Sequence, residues 1–368
     1  MNTTYELNNL RKDAEMFSGK FRKTSPVVEI FSAMVNGQEV GKFGKAADQT
    51  VAYIKELGSR AENGDGAAIA ELNTLRRFVI EAPLMEEMKA LSIFGSYKNV
   101  GFDETIEREV YKRVGDMSRI QAANGDVVTP ATIKETYPVP TFTVSGGYEV
   151  DYRRVALGDM SRENEGIAQV RVDIRNRAMA AIIEKIYKAI MEATGVKYTF
   201  EGAGLTKTGV DNVLAKVRKF GKPTVLGEYA LLSQFTPWAG YVGNINSNTI
   251  TGISEKAMNE IAQNGLLAMY NGNVLSEIPN PYDVTRLNAA GDNFATTMPA
   301  GLGFVVPAGG NSPIATWTRG GLTSMTGNDV KTGKVISRFD LCVGVDIAKG
   351  REYEIGLIHD TNLDDLAD

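Results

Sequence analysis

The residues able to do chemistry are few and scattered along the chain. The single histidine, His359, lies close to the C-terminal end. A histidine metal cluster is therefore excluded, and a histidine-based triad would depend on that residue alone, so a structural or surface role is expected. The single cysteine, Cys342, cannot form an intrachain disulfide. It falls in the alternating segment Phe339 to Ile347, where a buried thiol behaving as a small hydrophobe is expected. Gly202, Ala203, Gly204, Leu205, Thr206, Lys207 and Thr208 look faintly like a phosphate loop. The glycine that should precede the lysine is Thr206, however, and no apolar strand leads directly into the segment, so it reads as a hinge. Gly301, Gly303, Gly309 and Gly310 do not make the dinucleotide fingerprint. The carboxylates between Glu104 and Glu109 lack metal-ligand spacing and read as interface charge, and Asp364, Asp365 and Asp368 as a solvated tail. No catalytic, cofactor-binding or metal-binding residue is assigned.

Composition points the same way. The chain has 368 residues, a net charge of −5 and a pI near 5.3. Its length suggests two or three domains. No signal peptide and no apolar run of membrane length is present, so synthesis in the cytoplasm and no membrane partner are expected. An acidic balance argues against a dedicated nucleic-acid binder, because phosphate neutralisation needs a basic surface. Arg11 with Lys12, Lys20 with Arg22 and Lys23, and Arg218 with Lys219 and Lys222 are basic clusters that read as solvated surface.

The elements that would position all of these centre on one long helix. Ser161 is read as its N-cap, with Glu163 and Glu165 in the first turn, where the helix dipole favours negative charge. Ile167, Val170, Ile174, Ala178, Ala181, Ile182, Ile186 and Ile190 recur at spacings of three and four, which keeps them on one stripe. Gly195 is read as the C-cap. The span is ~33 residues, or roughly 50 Å. Charged residues flank the stripe in the first half. In the second half Met179, Ile183, Tyr187 and Met191 add another apolar row, so cover on two sides is expected.

Ahead of the helix, Val139, Thr141, Thr143 and Ser145 alternate with Phe142, Val144 and Gly146. This is strand chemistry, and the pair Gly146 and Gly147 permits a bulge. Val127 to Thr136 reads as the partner strand, turned at Pro138 and Pro140. Ile106 to Ile120 is highly charged, with no wide apolar face. Such an arm is marginal alone in water and needs a surface on another subunit. Residues 1 to about 95 read as helical, with Pro26 and Pro83 in first turns and a break at Asn63, Gly64, Asp65 and Gly66. A helix from Val210 to Phe220, a strand from Thr224 to Gly227 and a helix from Ser254 to Leu267 form a later α/β insertion.

This order resembles the major capsid proteins of tailed bacteriophages, with the HK97-like fold. The carriers are TFTVSGGYEVDY, the LGDMSREN hinge, the helix VRVDIRNRAMAAIIEKIYKAIMEAT, PTVLGEYALLSQF, GLLAMYNGNVLSEIPN and the terminal FDLCVGVDIAKGREYEIGLI. The resemblance implies an α+β subunit with an N-terminal arm at 1–95, an extended loop at 96–155 and a peripheral domain with a spine helix at 156–204. An axial domain at 205–312 and a return to the peripheral domain at 313–368 complete it. It implies no catalytic activity, but self-assembly through pentamers and hexamers into an icosahedral virion shell around double-stranded DNA, held by weak non-specific contact. A portal and scaffolding or decoration proteins are the implied partners. Some members cross-link a lysine to an asparagine of a neighbour; Lys134 and Asn328 are the conceivable pair, but no apolar pocket with an aligned carboxylate surrounds them in the sequence, so no cross-link is expected. The alternatives are an encapsulin-like nanocompartment shell and, in a different class, a soluble α/β enzyme with a glycine-rich site between Gly291 and Gly327.

Overall fold

A computed structural model describes residues 26–114, 120, 131–150, 152–158, 161–238, 266–288, 291–307, 312–329 and 334–363. The expected helix at Ser254 to Leu267 falls almost wholly outside them, as do the basic clusters before residue 26 and the acidic residues after 363.

The described residues open with three α-helices: α1 (Pro26–Val35), α2 (Lys45–Glu62) and α3 (Gly66–Met88). Asp65 caps α3 by accepting from the backbone N–H groups of Ala67 at 2.9 Å and Ala68 at 3.4 Å. Pro26 opens α1 as expected. Pro83 does not open a helix but lies inside α3, so Leu84, Met85 and Met88 continue the helix begun at Gly66. Its missing N–H costs one helical bond, and burial of Ile80, Leu84 and Met88 around it offsets that loss.

The strands follow: β1 (Ser96–Val100), β2 (Glu107–Val114), β3 (Ala131–Pro138) and β4 (Thr141–Val150). A short α4 (Tyr152–Leu157) leads to the long α5 (Ser161–Glu192), 32 residues without interruption. After β5 (Tyr198–Gly202), α6 (Lys207–Val217), β6 (Pro223–Gly227) and α7 (Tyr229–Ser233) come β7 (Met269–Tyr270), β8 (Asn273–Glu277), β9 (Tyr282–Leu287) and β10 (Phe294–Thr296). Strands β11 (Leu302–Pro307), β12 (Ile314–Asp329), β13 (Lys334–Ile347) and β14 (Gly356–Asp360) close the chain.

Two sheets organise these elements. One has the order β1-β12-β13-β4 and the other β5-β14-β11-β6-β8-β7; β9 and β10 form a separate ribbon, and β2 pairs only with β3. The partner strand expected for β4 is therefore wrong. The described part of Val127 to Thr136, from Ala131 on, pairs with β2 instead; β4 lies antiparallel to β13, with Val144 opposite Leu341, and the hairpin is made by β2 and β3. The expected bulge at Gly146 and Gly147 is also absent, since register runs unbroken from Ser145 opposite Asp340 to Tyr148 opposite Ser337. Those glycines serve close approach instead. A Cβ on Gly146 would stand 2.9 Å from Ile174 of α5, so the helix lies directly on the strand only because nothing projects there. The real bulge is in β12, between Arg319 and Leu322, where Gly320 and Gly321 take φ of 71° and 69°.

The stripe of α5 is buried as read from the sequence: Ile167, Val170, Ile174, Ala178, Ile182, Ile186 and Ile190. Ala181 is only half-buried. In the second row Ile183 is buried, Met179 and Tyr187 are partly so, and Met191 is exposed, so the double cover ends before the helix does. The helix starts at Ser161 itself, not after it, and ends at Glu192, leaving Gly195 (φ 119°) in the following turn. One core joins α5, the inner residues of β12 and β13, and the N-terminal helices through Phe31, Leu57, Leu75, Phe78 and Leu84. A second core holds α6, β6 and an aromatic group in which Phe235 meets Tyr270 at 5.2 Å. Cys342 alternates out of the first core and is half-buried rather than buried, because its neighbours Leu341 and Val343 take the inward positions.

Candidate assembly surfaces

The β2–β3 hairpin has little of its own to bury. Val110 and Tyr137 form a small cluster with Ala348 at its root, whereas Tyr111 and Ile133 are 64% and 52% exposed farther out. A two-stranded ribbon with so little apolar backing is marginal in water. Lys134 and Glu109, diagonal to each other across the two strands, form an ion pair at 2.6 Å, both about half exposed. That hydrogen bond holds the Lys134 ammonium above its ordinary pKa. Glu104 accepts from the N–H of Gly101 at 3.4 Å, so these carboxylates serve local turns and pairs.

The root is pinned. Arg108 and Tyr137 are direct partners across the hairpin. From Arg108, Nη1 donates to the carbonyl of Asp346 at 2.7 Å and to its Oδ2 at 3.0 Å, and Nη2 donates to the carbonyl of Pro313 at 2.6 Å. The Tyr137 hydroxyl donates to the same Oδ2 at 2.8 Å and accepts from the N–H of Lys349 at 3.2 Å. Burial, followed by the bond to Asp346, pushes the phenol up to about 12. The Lys349 ammonium lies 4.2 Å from the ring centroid of Tyr137.

A second polar node lies under the start of α5, and no local pattern in the sequence marks it. Glu163 is no solvated first-turn charge: it is 5% exposed and ion-paired with Arg76 of α3, itself 1% exposed. The Tyr148 hydroxyl of β4 also donates to Glu163, at 2.7 Å, and the guanidinium reaches Asn73 at 3.1 Å and sits 5.7 Å from the Tyr152 ring. Burial works against the Arg76 charge, but Glu163 and the tyrosines hold its pKa above the ordinary arginine value. Only the fold reveals that these residues, drawn from α3, β4, α4 and α5, converge. Farther along α5, Arg171 and Arg175 reach Glu87 of α3 at 3.7 and 3.5 Å, so part of the charge flanking the stripe is answered within the chain.

The residues singled out for chemistry do not come together. His359 lies in β14, with Nδ1 3.5 Å from Glu201. The glycine-rich segment after α5 does follow a strand directly, contrary to expectation, since β5 ends at Gly202 and α6 starts at Lys207. Its loop is nonetheless taken. Gly204 N–H donates to Asp360 at 2.8 Å, Leu205 N–H to Gln234 at 3.2 Å, and the Thr206 hydroxyl caps α6 through Gly209. A carboxylate thus stands where a phosphate loop would need an anion's place. Burial would raise the pKa of Asp360, but donation from Gln234, Asn362 and Gly204 lowers it. The described parts of the span from Gly291 to Gly327 pass through β10, β11 and β12, which belong to three different sheets, and Gly309 and Gly310 lie outside the described residues. Lys134 and Asn328 lie on separate sheets, in β3 and β12. Among the described residues no group of His, Cys, Asp and Glu could hold a metal, and no helix is long and apolar enough to cross a membrane.

No curated protein matches the chain. Among solved structures it is similar to a virus-like particle from Pyrococcus furiosus at 10% identity and a TM-score of 0.43, covering 76% of this chain and 97% of that one. It is also similar to the mature capsid of bacteriophage PhiM1 at 15% identity and a TM-score of 0.39, with 73% and 86% covered. The capsid of cyanophage P-SCSP1u matches at 10% and 0.44, with 72% and 86% covered. A family model described as SPbeta prophage-derived putative capsid protein YonB matches residues 6–359, nearly the whole chain. The chain belongs to this YonB family of phage capsid proteins.

Proposed function

We propose that the chain is the major capsid protein of a tailed bacteriophage, many copies of which close into an icosahedral shell around double-stranded DNA. The observation that carries this reading is the β2–β3 hairpin, which exposes Tyr111 and Ile133 and depends on a surface outside its own subunit. In this reading the hairpin is the extended loop within 96–155. Residues 156–204 and 313–368 make the peripheral domain, with α5 as its spine, and 205–312 the axial domain. Residues 1–95 are the N-terminal arm, whose helices from Pro26 onward share the core of α5. The work is mechanical. Each contact is weak, but symmetry repeats it at every copy, so modest pairwise affinity yields a durable shell. A net charge of −5 fits a lumen that holds DNA without gripping it. The portal and any scaffolding or decoration proteins are further partners, and the mature chain resides in the virion.

Negative-stain microscopy of the purified chain tests this. Closed shells are expected from the intact chain. A chain in which residues 122–136 are replaced by a short glycine linker, which removes Ile133 with most of β3, is expected to keep its circular dichroism spectrum and lose particles. Only small soluble oligomers from the intact chain, or normal shells from the shortened one, would overturn the proposal.

A further inference from the structure

We infer that Arg108 and Tyr137, acting together on the carboxylate of Asp346, form a clamp that sets the take-off angle of the hairpin before any neighbour is met, and that this clamp governs the efficiency and uniformity of assembly. The inference rests on the proposed shell function.

Its basis is the geometry of one oxygen. Arg108 belongs to β2 and Tyr137 to β3, they face each other in register, and both donate to Oδ2 of Asp346 in β13. A contact from one strand alone would leave the ribbon free to roll about that point. Two donors from opposite strands meeting on one acceptor fix its roll, and the bond from Arg108 to the Pro313 carbonyl fixes its pitch. Ala348 closes the third side, packing on Val110 and Tyr137 while its N–H donates to the same Pro313 carbonyl at 2.8 Å. Arginine suits this role because its planar fork holds several acceptors in a rigid arrangement, which a lysine point charge cannot do.

The consequence is one of leverage. At roughly 3.3 Å per residue the strand from Arg108 to Val114 is a lever of ~20 Å, so a swing of about 10° at the root displaces its far end by ~3.5 Å. A displacement of that size breaks side-chain contacts on a neighbour. A free hinge would have to be ordered anew at every contact, whereas a clamped one has lost that freedom in advance, which is the general advantage of preorganisation. Arg108 and Tyr137 are positioning residues: they act through the hairpin whose root they hold.

The test compares Arg108→Ala, Arg108→Lys and Tyr137→Phe in the full chain by particle yield, particle diameter and amide hydrogen exchange of the unassembled subunit. Expected are faster exchange in β2 and β3 with unchanged exchange in β12 and α5, and about a tenfold lower yield with a broadened diameter distribution for Arg108→Ala. Arg108→Lys should recover part of the yield, and Tyr137→Phe should fall between. Wild-type yield and diameter from Arg108→Ala, or unchanged hairpin exchange, would overturn the clamp. Should Arg108→Ala fail to fold, the same readings on Tyr137→Phe decide, because it removes a single hydroxyl. If the wild-type chain built no shells, the functional proposal would fail, while the exchange experiment would still judge the clamp.

Discussion

Substituting Arg76 by alanine is expected to be the most costly single change at the start of the spine helix. The guanidinium is 1% exposed and is both the charge partner of Glu163 and a donor to Asn73. Without it, Glu163, 5% exposed, keeps only the Tyr148 hydroxyl as a donor. Breaking one half of a buried ion pair costs about 3–5 kcal/mol, against a whole-domain margin of about 5–15 kcal/mol. With a urea dependence of ~3 kcal/mol per molar, the unfolding midpoint of the unassembled subunit should drop by ~1–1.7 M. The double variant Arg76→Met with Glu163→Leu removes both charges and should recover most of the loss, because two well-packed apolar groups tolerate burial without partners. Urea titration followed by circular dichroism reads both. A midpoint for Arg76→Ala within ~0.2 M of wild type, or a double variant weaker than the single one, would show that the pair does not hold α3 to α5.

Three further outcomes follow from the same core. Ile174→Asp and Ile182→Asp, each placing an unpaired carboxylate at a fully buried position of α5, should abolish accumulation of soluble subunit, checked by the soluble fraction on expression. Mature particles should retain the N-terminal helices, since Phe31, Leu57 and Leu75 share the core of α5; intact-mass measurement showing loss of roughly the first 90 residues would contradict this. Glu71 has a raised pKa because it is buried, only partly offset by the hydroxyl donated by Tyr53. An acid raised in the folded state contributes stability at low pH that is lost as pH climbs through its folded value, so the melting temperature of Glu71→Gln should gain on wild type as pH rises from about 4 to 7, and a constant difference would refute it.

What could be read from the sequence was whatever repeats locally. The stripe from Ile167 to Ile190 is written at helical spacing and is buried as its period implies. The break at Asn63 and Gly64 is equally local, and Asp65 caps the next helix. Pairing between strands is not local. The alternation of β4 is plain, but its partner, β13, lies far downstream, and no local pattern favours it over the nearest extended segment. Strand β2 hid behind its charges, because a ribbon buried only at its root carries too short an alternating apolar signal. Glu163 looked like an ordinary first-turn acid, and nothing near it in the chain marks Arg76, 87 positions earlier, as its partner. The chemically suggestive residues were readable only as isolated types, and their separation in space needed the fold.

The placement of β14 between β5 and β11 bears on the timing of biosynthesis. Asp360 at its end holds Gly204, just beyond the end of β5 and 156 positions earlier, so the edge of this sheet stays open while the intervening chain is made. At about 5–20 residues per second that wait is roughly 8–30 s. A polypeptide still on the ribosome, or one ended early by a nonsense codon, lacks a strand from within the sheet rather than from its border. Such a chain cannot present a finished surface to its neighbours, so the last strand acts as a check on completeness before a copy can enter a growing shell.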